Sequence, residues 1–164
     1  MNFIIKPLEA NHQTKVLGIY KLGIETKNAT FNTTVPTWEE WDKGHFQHSR
    51  FVVETENNIA GWIAISPVST RCSYSGVAEV SVYIHPDFNG LGLASELMKI
   101  LISESENNGI WTLQSSIFPE NKASIKLHEK FGFRKVGYRE KISKLDGVWR
   151  DTILFEKRSL HLLP

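Results

Sequence analysis

The hydrophobic positions of the chain change period several times, and each change predicts a helix or a strand. Apolar residues at helical spacing predict a first helix over about 12–27, with Asn11 as its N-cap. Thr37 and Glu40 have the spacing of a capping box and predict a second helix that ends near His48.

Seven segments are short and either alternating or continuously apolar, which predicts β-strands. Asn57-Asn58 and Asp146-Gly147 each separate two of these segments and favour hairpins, because asparagine and glycine tolerate positive φ. Asn121 begins a short helix between the fifth and sixth segments, and Gly132 is its C-terminal breaker. The strand segments lie at about 3–6, 51–54, 59–65, 77–84, 112–117, 133–140 and 148–156.

The fourth strand segment leads through a Pro-Asp turn and a glycine-rich corner into another amphipathic helix. Alternation along this strand places Glu79 on the face opposite to Val80, Val82 and Ile84. An ionisable side chain therefore lies just before the corner. The predicted buried stripe of the helix that follows consists of Ala94, Leu97, Met98 and Leu101.

The order of these elements predicts an α/β protein, with a mixed sheet and helices packed on its faces. The 164 residues are expected to form one domain over 1–164. A hydrophobic content of 41% and a charged content of 23% are ordinary for a soluble globular protein.

Net charge and cysteine content narrow the possible functions. The net charge of +1 argues against a dedicated nucleic-acid-binding protein. No apolar run approaches the roughly 20 residues that a membrane span needs. The single cysteine, Cys72, excludes an internal disulfide and fits a reducing compartment, so a cytoplasmic location is expected.

The glycine-rich corner predicts a site for a phosphate or pyrophosphate. Its backbone N–H groups point at one spot, beside the positive end of the helix dipole. A Walker loop needs Gly-x-x-x-x-Gly-Lys-Ser/Thr, which does not occur. A dinucleotide fingerprint needs glycine or alanine where Ser95 stands, and an acid near Ile117-Phe118, where there is none. Both kinds of nucleotide site are therefore disfavoured.

The corner Asn-Gly-Leu-Gly-Leu-Ala resembles the cofactor loop of the GCN5-related N-acetyltransferase (GNAT) superfamily. In that family, Gln/Arg-x-x-Gly-x-Gly/Ala holds the pyrophosphate of acetyl-coenzyme A through backbone amides. Asn89 departs from the Gln/Arg at the first position, a small change for a loop that works through its backbone. The residues that match the loop are Gly90, Leu91, Gly92, Leu93, Ala94 and Ser95.

A second motif downstream strengthens this resemblance. The run from Asn121 to Phe133 looks like the family motif Asn-x-x-(Ala/Ser)-x-x-x-Tyr-x-x-x-Gly-Phe, whose asparagine bonds the pantetheine or its neighbouring backbone. His128 replaces the tyrosine, as in the phosphinothricin and methionine sulfone/sulfoximine acetyltransferase branch. The resemblance covers about 3–157 and implies the GNAT fold, a mostly antiparallel mixed sheet whose strands 4 and 5 splay apart.

The resemblance also implies roles for the residues of the fourth strand. Its exposed amides near Val82, Tyr83 and Ile84 would donate to the acetyl carbonyl of the cofactor. Glu79 would be the general base that deprotonates the acceptor amine. From the residues alone, Glu79 could equally be a structural carboxylate paired with an arginine such as Arg71 or Arg150.

The remaining candidates each keep two interpretations. His128 could protonate the departing thiolate or cap the pocket, and Lys130 could reach the cofactor phosphates or be a surface lysine. Phe31 could contact a ligand or cover the core. Arg71 and Tyr74 precede the fourth strand, where related enzymes hold the acceptor's carboxylate, but Arg71 could also be a surface residue.

Two further features of the sequence could indicate a metal site or a covalent mechanism, but neither is expected. His45 and His48 lie three residues apart and could share a metal ion, but no third ligand is evident, so no metal is expected. Cys72 could serve a ping-pong mechanism, but no base is positioned beside it, so direct transfer in a ternary complex is favoured.

The sequence therefore predicts an acetyl-coenzyme A-dependent N-acetyltransferase that acts on the α-amino group of a small amino-acid-like molecule. Phosphinothricin, methionine sulfone and methionine sulfoximine are candidate acceptors by resemblance. Acetylation of another amine (a protein N-terminus, a polyamine or an aminoglycoside) and a non-catalytic sensor of acetyl-coenzyme A remain alternatives. Related enzymes are commonly homodimers, so a homodimer is possible.

Overall fold

One sheet organises the structure, a computed structural model that describes residues 2–56 and 58–162. Its strands follow the order β1-β2-β3-β4-β5-β7-β6, and only β4 and β5 are parallel. The prediction of a mixed, mostly antiparallel sheet is confirmed. The strands are β1 (Ile4–Pro7), β2 (Phe51–Thr55), β3 (Asn58–Pro67), β4 (Val77–Ile84), β5 (Thr112–Ile117), β6 (Arg134–Leu145) and β7 (Val148–Arg158).

Two of the three predicted helix caps are observed. Thr37 and Glu40 form the predicted capping box, and Asn121 accepts a hydrogen bond from the Ser124 amide. Asn11 is not a cap, because it lies inside a 3₁₀ turn that precedes the first helix. The helices are α1 (Gln13–Glu25), α2 (Trp38–Gly44), α3 (Leu93–Asn107) and α4 (Lys122–Lys130).

Two further predicted details differ from the structure. The prediction that α2 reaches His48 is wrong, because His45 has extended backbone angles that end the helix. Leu93 is buried on α3, whereas Ala94, predicted for the buried stripe, is only half-buried. The Asp146-Gly147 turn joins β6 to β7 as predicted, with φ of 49° and 81°. Asn57 of the other predicted turn lies outside the described residues.

Helices cover both faces of the sheet and form two hydrophobic layers. The apolar side chains of α3 pack on one face, against residues that include Val80. The other face packs against α1 and α2, and there the Trp62 indole donates to the Val16 carbonyl at 3.1 Å. Across residues 2–56 and 58–162, no helix has the length and apolarity to cross a membrane.

β4 and β5 separate soon after they begin to pair. Their ladder has three residue pairs, from Val77 opposite Thr112 to Glu79 opposite Gln114. Beyond this point β5 pairs only with β7 among the described strands, while β4 continues against β3 to Ile84. A gap therefore opens in the middle of the sheet, and the predicted splay of strands 4 and 5 is confirmed.

Candidate active site

A cavity of about 900 Å³ fills the gap between β4 and β5. Its size lies in the range typical of small-molecule and cofactor sites, about 300–1,000 Å³. Its walls come from α1, the loop over 28–32, β4, the start of α3, β5 and α4. Sequence-predicted residues that line it are Phe31, His45, Glu79, Val82, Tyr83, Ile84, Ala94, Ser95, Asn121, His128 and Lys130.

The register of β3 and β4 shows which amides point into the gap. The His85 amide donates to the Ala60 carbonyl of the opposite residue at 2.8 Å. Because N–H directions alternate along a strand, the amides of Val82 and Ile84 point away from β3, into the gap. The amide of Tyr83 points towards β3, so the sequence prediction is wrong for this one amide, and Tyr83 contributes its side chain to the cavity wall.

Glu79 lies where β4 and β5 part. The amide nitrogen of Gln114, the residue opposite, donates to a Glu79 carboxylate oxygen at 3.2 Å. The alternative of a structural ion pair is not observed: within the described chain Glu79 has no salt bridge, and Arg150 instead contacts Glu120 at 3.2 Å. The carboxylate is thus oriented by one neutral donor and faces the cavity without a countercharge.

The glycine corner presents backbone donors at one end of the cavity. Gly90 and Gly92 have φ of 78° and 79°, the left-handed region that favours glycine. The amides of Leu93 and Ala94 at the start of α3 donate to no described residue. The Leu93 side chain is 2% exposed, so Leu93 could contribute only its backbone. Of the predicted loop residues, Ala94 and Ser95 line the cavity, whereas Gly90, Leu91, Gly92 and Leu93 do not.

Two lysines of α4 add positive charge near this corner. The ammonium of Lys130 donates to the Ser95 hydroxyl at 3.0 Å, which brings it to the start of α3. Lys126, one turn earlier, also lines the cavity. The helix dipole, the free amides and these lysines together make this end suited to an anion.

Asn121 connects the wall of α4 to the loop over 28–32. Its side-chain oxygen caps α4, and its nitrogen donates to the Asn28 carbonyl at 3.0 Å. Phe31 of the same loop contacts the buried Phe118 edge-on, with ring centroids 4.9 Å apart. Phe31 therefore covers the core and also lines the cavity, so both interpretations of this residue are compatible with its position.

His128 is buried in the cavity wall, and both ring nitrogens have partners. Nδ1 lies 2.8 Å from the Ser124 carbonyl and must donate, so Nε2 of the neutral ring accepts from the Ser115 hydroxyl, also at 2.8 Å. Burial lowers the pKa of His128, while the bond to the Ser124 carbonyl raises it less. The ring is therefore neutral at pH 7.

The predicted acceptor-binding pair does not reach the cavity. Arg71 and Tyr74 lie in the connection between β3 and β4, both are exposed, and neither lines the cavity. Cys72 in the same connection is exposed and likewise does not line it. These residues flank the beginning of β4 and are open to solvent.

The two histidines after α2 have separate surroundings. Nδ1 of His45 lies 2.6 Å from the Trp41 carbonyl, and Nδ1 of His48 lies 2.8 Å from the Ser49 hydroxyl. His45 lines the cavity and His48 does not. No group of three metal-ligating side chains is found in residues 2–56 and 58–162.

Sequence reasoning assigned no role to Gln114, Ser115 or Lys126. Gln114 and Glu79 are 35 residues apart, and only the parallel ladder brings them together. Ser115 meets His128 through the packing of α4 on β5. Lys126 follows Lys122 at helical spacing, which is the one signal that could have placed it on a shared face of α4.

Comparison with known proteins agrees with this geometry. The profile of the acetyltransferase (GNAT) family matches residues 17–133, more than half of the chain. The chain belongs to this family. YwnH of Bacillus subtilis, provisionally named a phosphinothricin acetyltransferase, is 37% identical over 137 residues, which are 80% of this chain and 84% of YwnH.

Further relatives of this GNAT protein have related names. The phosphinothricin N-acetyltransferase of Streptomyces viridochromogenes is 27% identical over 93% of this chain and 86% of its own length. The GNAT-superfamily phosphinothricin acetyltransferase of Sinorhizobium meliloti, solved with acetyl-coenzyme A, is 22% identical with a TM-score of 0.87. It covers 96% of this chain and 89% of its own, and at that identity it shows the shared fold. The predicted family and fold are confirmed.

Proposed function

We propose that this GNAT protein transfers the acetyl group of acetyl-coenzyme A to the α-amino group of a small amino-acid-like acceptor. The observation that carries the proposal is the gap between β4 and β5. Free amides of β4 and the unpaired carboxylate of Glu79 line the gap, and an anion-binding corner opens into it. A sensor would not need a carboxylate without a countercharge at this point.

The residues present fit the cofactor. The corner offers the backbone donors of Leu93 and Ala94 for a pyrophosphate, and Lys130 and Lys126 supply compensating positive charge. Asn121 and the gap itself would take the pantetheine arm. A Cβ added at Gly90 or Gly92 would meet no atom within 4 Å, so there is open space beside both glycines.

The bound cofactor supplies an acetyl thioester, whose carbonyl carbon is attacked by the acceptor amine. The amides of Val82 and Ile84 would donate to the carbonyl oxygen as negative charge develops there. Glu79 would accept the proton that the ammonium must lose, directly or through one water molecule. The new N–C bond replaces the C–S bond, and the thiolate leaves with the electron pair.

His128 does not supply the proton for this thiolate in our proposal. The neutral ring donates its single N–H to the Ser124 carbonyl and has no second proton to give. We propose instead that His128 fixes Ser115 in the wall of β5, and that solvent protonates the thiol. The second of the two sequence interpretations, a pocket-capping histidine, is thereby preferred.

The names of the relatives support an amino-acid-like acceptor. Such an acceptor carries a carboxylate, which needs a cation. The cavity-lining lysines of the described chain, Lys126 and Lys130, lie on α4, and Lys130 contacts Ser95 at the glycine corner. Arg71 and Tyr74 lie outside the cavity wall, and we propose that they hold the carboxylate of an acceptor that extends from the cavity towards the connection leading into β4.

Several broader properties are proposals as well. The single sheet supports one N-acetyltransferase domain over 1–164. The lone, exposed Cys72 supports a reducing, cytoplasmic location. A homodimer and the absence of nucleic-acid binding are proposed on the resemblance and on the net charge of +1.

An acceptor screen monitored by free thiol tests the function. The protein is mixed with acetyl-coenzyme A and with phosphinothricin, methionine sulfone, methionine sulfoximine, a polyamine, an aminoglycoside or an N-terminal peptide. We expect thiol release with the amino-acid-like acceptors. Release only with the polyamine, aminoglycoside or peptide would support the alternative acceptor classes, and acetyl-coenzyme A binding without turnover would support the sensor.

A further inference from the structure

His45 is the one cavity-lining histidine whose second ring nitrogen has no hydrogen-bond partner in the described chain. Its Nδ1 faces a carbonyl oxygen, that of Trp41, and can only donate to it. In the neutral ring the proton is therefore on Nδ1, and Nε2 presents a lone pair. The hydrogen bond to Trp41 therefore selects one tautomer, in which Nε2 can accept a hydrogen bond from a ligand.

Packing holds this ring in place. It stacks on the buried Trp41 with centroids 4.0 Å apart and meets Trp62 edge-on at 6.3 Å. Burial lowers the pKa of His45; the hydrogen bond to the Trp41 carbonyl opposes this in part, and the smaller effects of Arg50 and Asp42 lower and raise the pKa respectively. A neutral ring of fixed orientation results.

The backbone places His45 on the same face of the sheet as Glu79. The amide of Phe46 donates to the Ile65 carbonyl at 2.9 Å, which seats the residue after His45 against β3. Ser66, the next residue of β3, lies directly opposite Glu79 on β4. Ser66, Glu79 and His45 all line the cavity. Two strand spacings, about 10 Å, thus separate the backbones that carry the imidazole and the carboxylate.

We propose that Nε2 of His45 accepts a hydrogen bond from the α-amino group of the acceptor and holds this group beside Glu79. This inference rests on the proposed function and names a second group that contacts the acceptor. An ammonium has three N–H donors. Glu79 takes one proton, and the resulting amine needs a partner for a remaining N–H while its lone pair faces the acetyl carbon. His45 supplies that partner.

The charges around His45 favour an amine as the group that its Nε2 binds. A neutral imidazole with its proton on Nδ1 repels a carboxylate at Nε2 and accepts from an N–H. The ion pair between Arg50 and Asp42, at 2.6 Å, leaves little net charge behind the ring. The acceptor's carboxylate must then point away from His45, towards the connection that carries Arg71.

Two substitutions at one position test the proposal. In His45→Asn the side-chain amide can keep the hydrogen bond to Trp41 but has no group at the Nε2 position. In His45→Gln the longer side chain can place an amide oxygen near that position. His48→Asn is the matched control, since it is the same substitution three residues away and outside the cavity. The measurements are kcat/KM for methionine sulfone, the dissociation constant of acetyl-coenzyme A and the melting temperature.

We expect kcat/KM for methionine sulfone to fall about 10- to 100-fold in His45→Asn, the loss expected for one hydrogen bond to a charged group. His45→Gln should recover most of this loss, and His48→Asn should match the wild type. Acetyl-coenzyme A affinity should stay unchanged in all three. The melting temperature should fall alike in His45→Asn and His45→Gln, because both lose the stacking on Trp41.

An unchanged kcat/KM in His45→Asn would overturn the inference and leave the proposed function standing. A parallel loss of cofactor affinity, or a kcat/KM that falls equally in His45→Asn and His45→Gln, would also overturn it, because a structural role of the ring would explain either result. If the wild-type protein acetylates none of the acceptors, the proposed function is wrong, and this inference is wrong with it.

Discussion

At the scale of single residues, the hydrogen bond from Gln114 is the one described side-chain contact that orients the Glu79 carboxylate. This hydrogen bond fixes the direction in which the carboxylate faces the cavity. Gln114 therefore acts through Glu79 as a positioning residue, and its removal should lower activity without a change in cofactor binding.

Replacing Gln114 by Leu removes this donor and keeps a side chain of similar size. We expect kcat to fall about tenfold, because the Glu79 carboxylate loses the hydrogen bond that orients it, while acetyl-coenzyme A affinity stays unchanged. The exposed Gln13→Leu is the control, and a Gln114→Leu protein with the kcat of the wild type would refute this role for Gln114.

His128 makes a prediction about stability. Its folded pKa lies below the ordinary value of 6.5, so just below pH 6.5 the unfolded chain binds a proton that the folded chain does not. The free energy of unfolding should therefore fall as the pH decreases from 6.5. His128→Gln should show a shallower fall than the wild type in urea titrations.

The slope in His128→Gln should not vanish, because burial also lowers the pKa of His45 and His48. The exposed His161→Gln is the control and should keep the wild-type slope. Equal slopes in His128→Gln and the wild type would mean that His128 titrates alike in the folded and unfolded chain.

At the scale of elements, the start of α3 combines the proposed anion site with a glycine in the left-handed conformation. Gly92 is the N-cap of α3 with φ of 79°, and a Cβ there would meet nothing within 4 Å. A residue with a Cβ at this position would therefore meet no steric clash, but its left-handed backbone conformation would cost about 1–2 kcal/mol.

Gly92→Ala should therefore weaken acetyl-coenzyme A binding and lower the free energy of unfolding by about 1–2 kcal/mol. Gly18→Ala is the matched control, because Gly18 lies within α1 with open space around it, and alanine should stabilise the helix there by about 0.5–1 kcal/mol. Calorimetry of cofactor binding and chemical denaturation measure the two effects. Unchanged cofactor affinity in Gly92→Ala would show that the glycine corner does not bind the cofactor.

Local signals predicted β4 and β5 within their observed bounds, because alternation and turn residues act over a few positions. The end of α2 was less predictable. The helical pattern continues to His48, but the backbone turns extended at His45, where Phe46 joins β3. A long-range contact decided this boundary, and it also placed the imidazole at the cavity.

At the scale of the whole molecule, the two cofactor motifs identified the family and fold, but the complete site could not be predicted. Asn121 and Asn28 are 93 residues apart and meet only because α4 packs beside the loop that follows α1. The sequence left open whether Arg71 is exposed, since this depends on how the connection between β3 and β4 lies on the surface.

Arg71 tests the class of acceptor. If it holds a carboxylate, Arg71→Ala should raise KM for methionine sulfone about tenfold or more, and kcat should change little. KM for the corresponding amine without a carboxylate should not change. The exposed Arg139→Ala is the control on β6. Equal KM effects on both acceptors would show that Arg71 does not recognise a carboxylate.

The central claim is that Glu79 accepts the proton of the amine in the gap between β4 and β5. The most direct measurement compares thiol release by the wild type and by Glu79→Gln, with acetyl-coenzyme A binding followed by calorimetry on the same samples. We expect kcat to fall about 10²- to 10⁴-fold while the cofactor dissociation constant stays within about twofold. A Glu79→Gln protein that turns over like the wild type, with the cofactor bound equally well, would contradict the account.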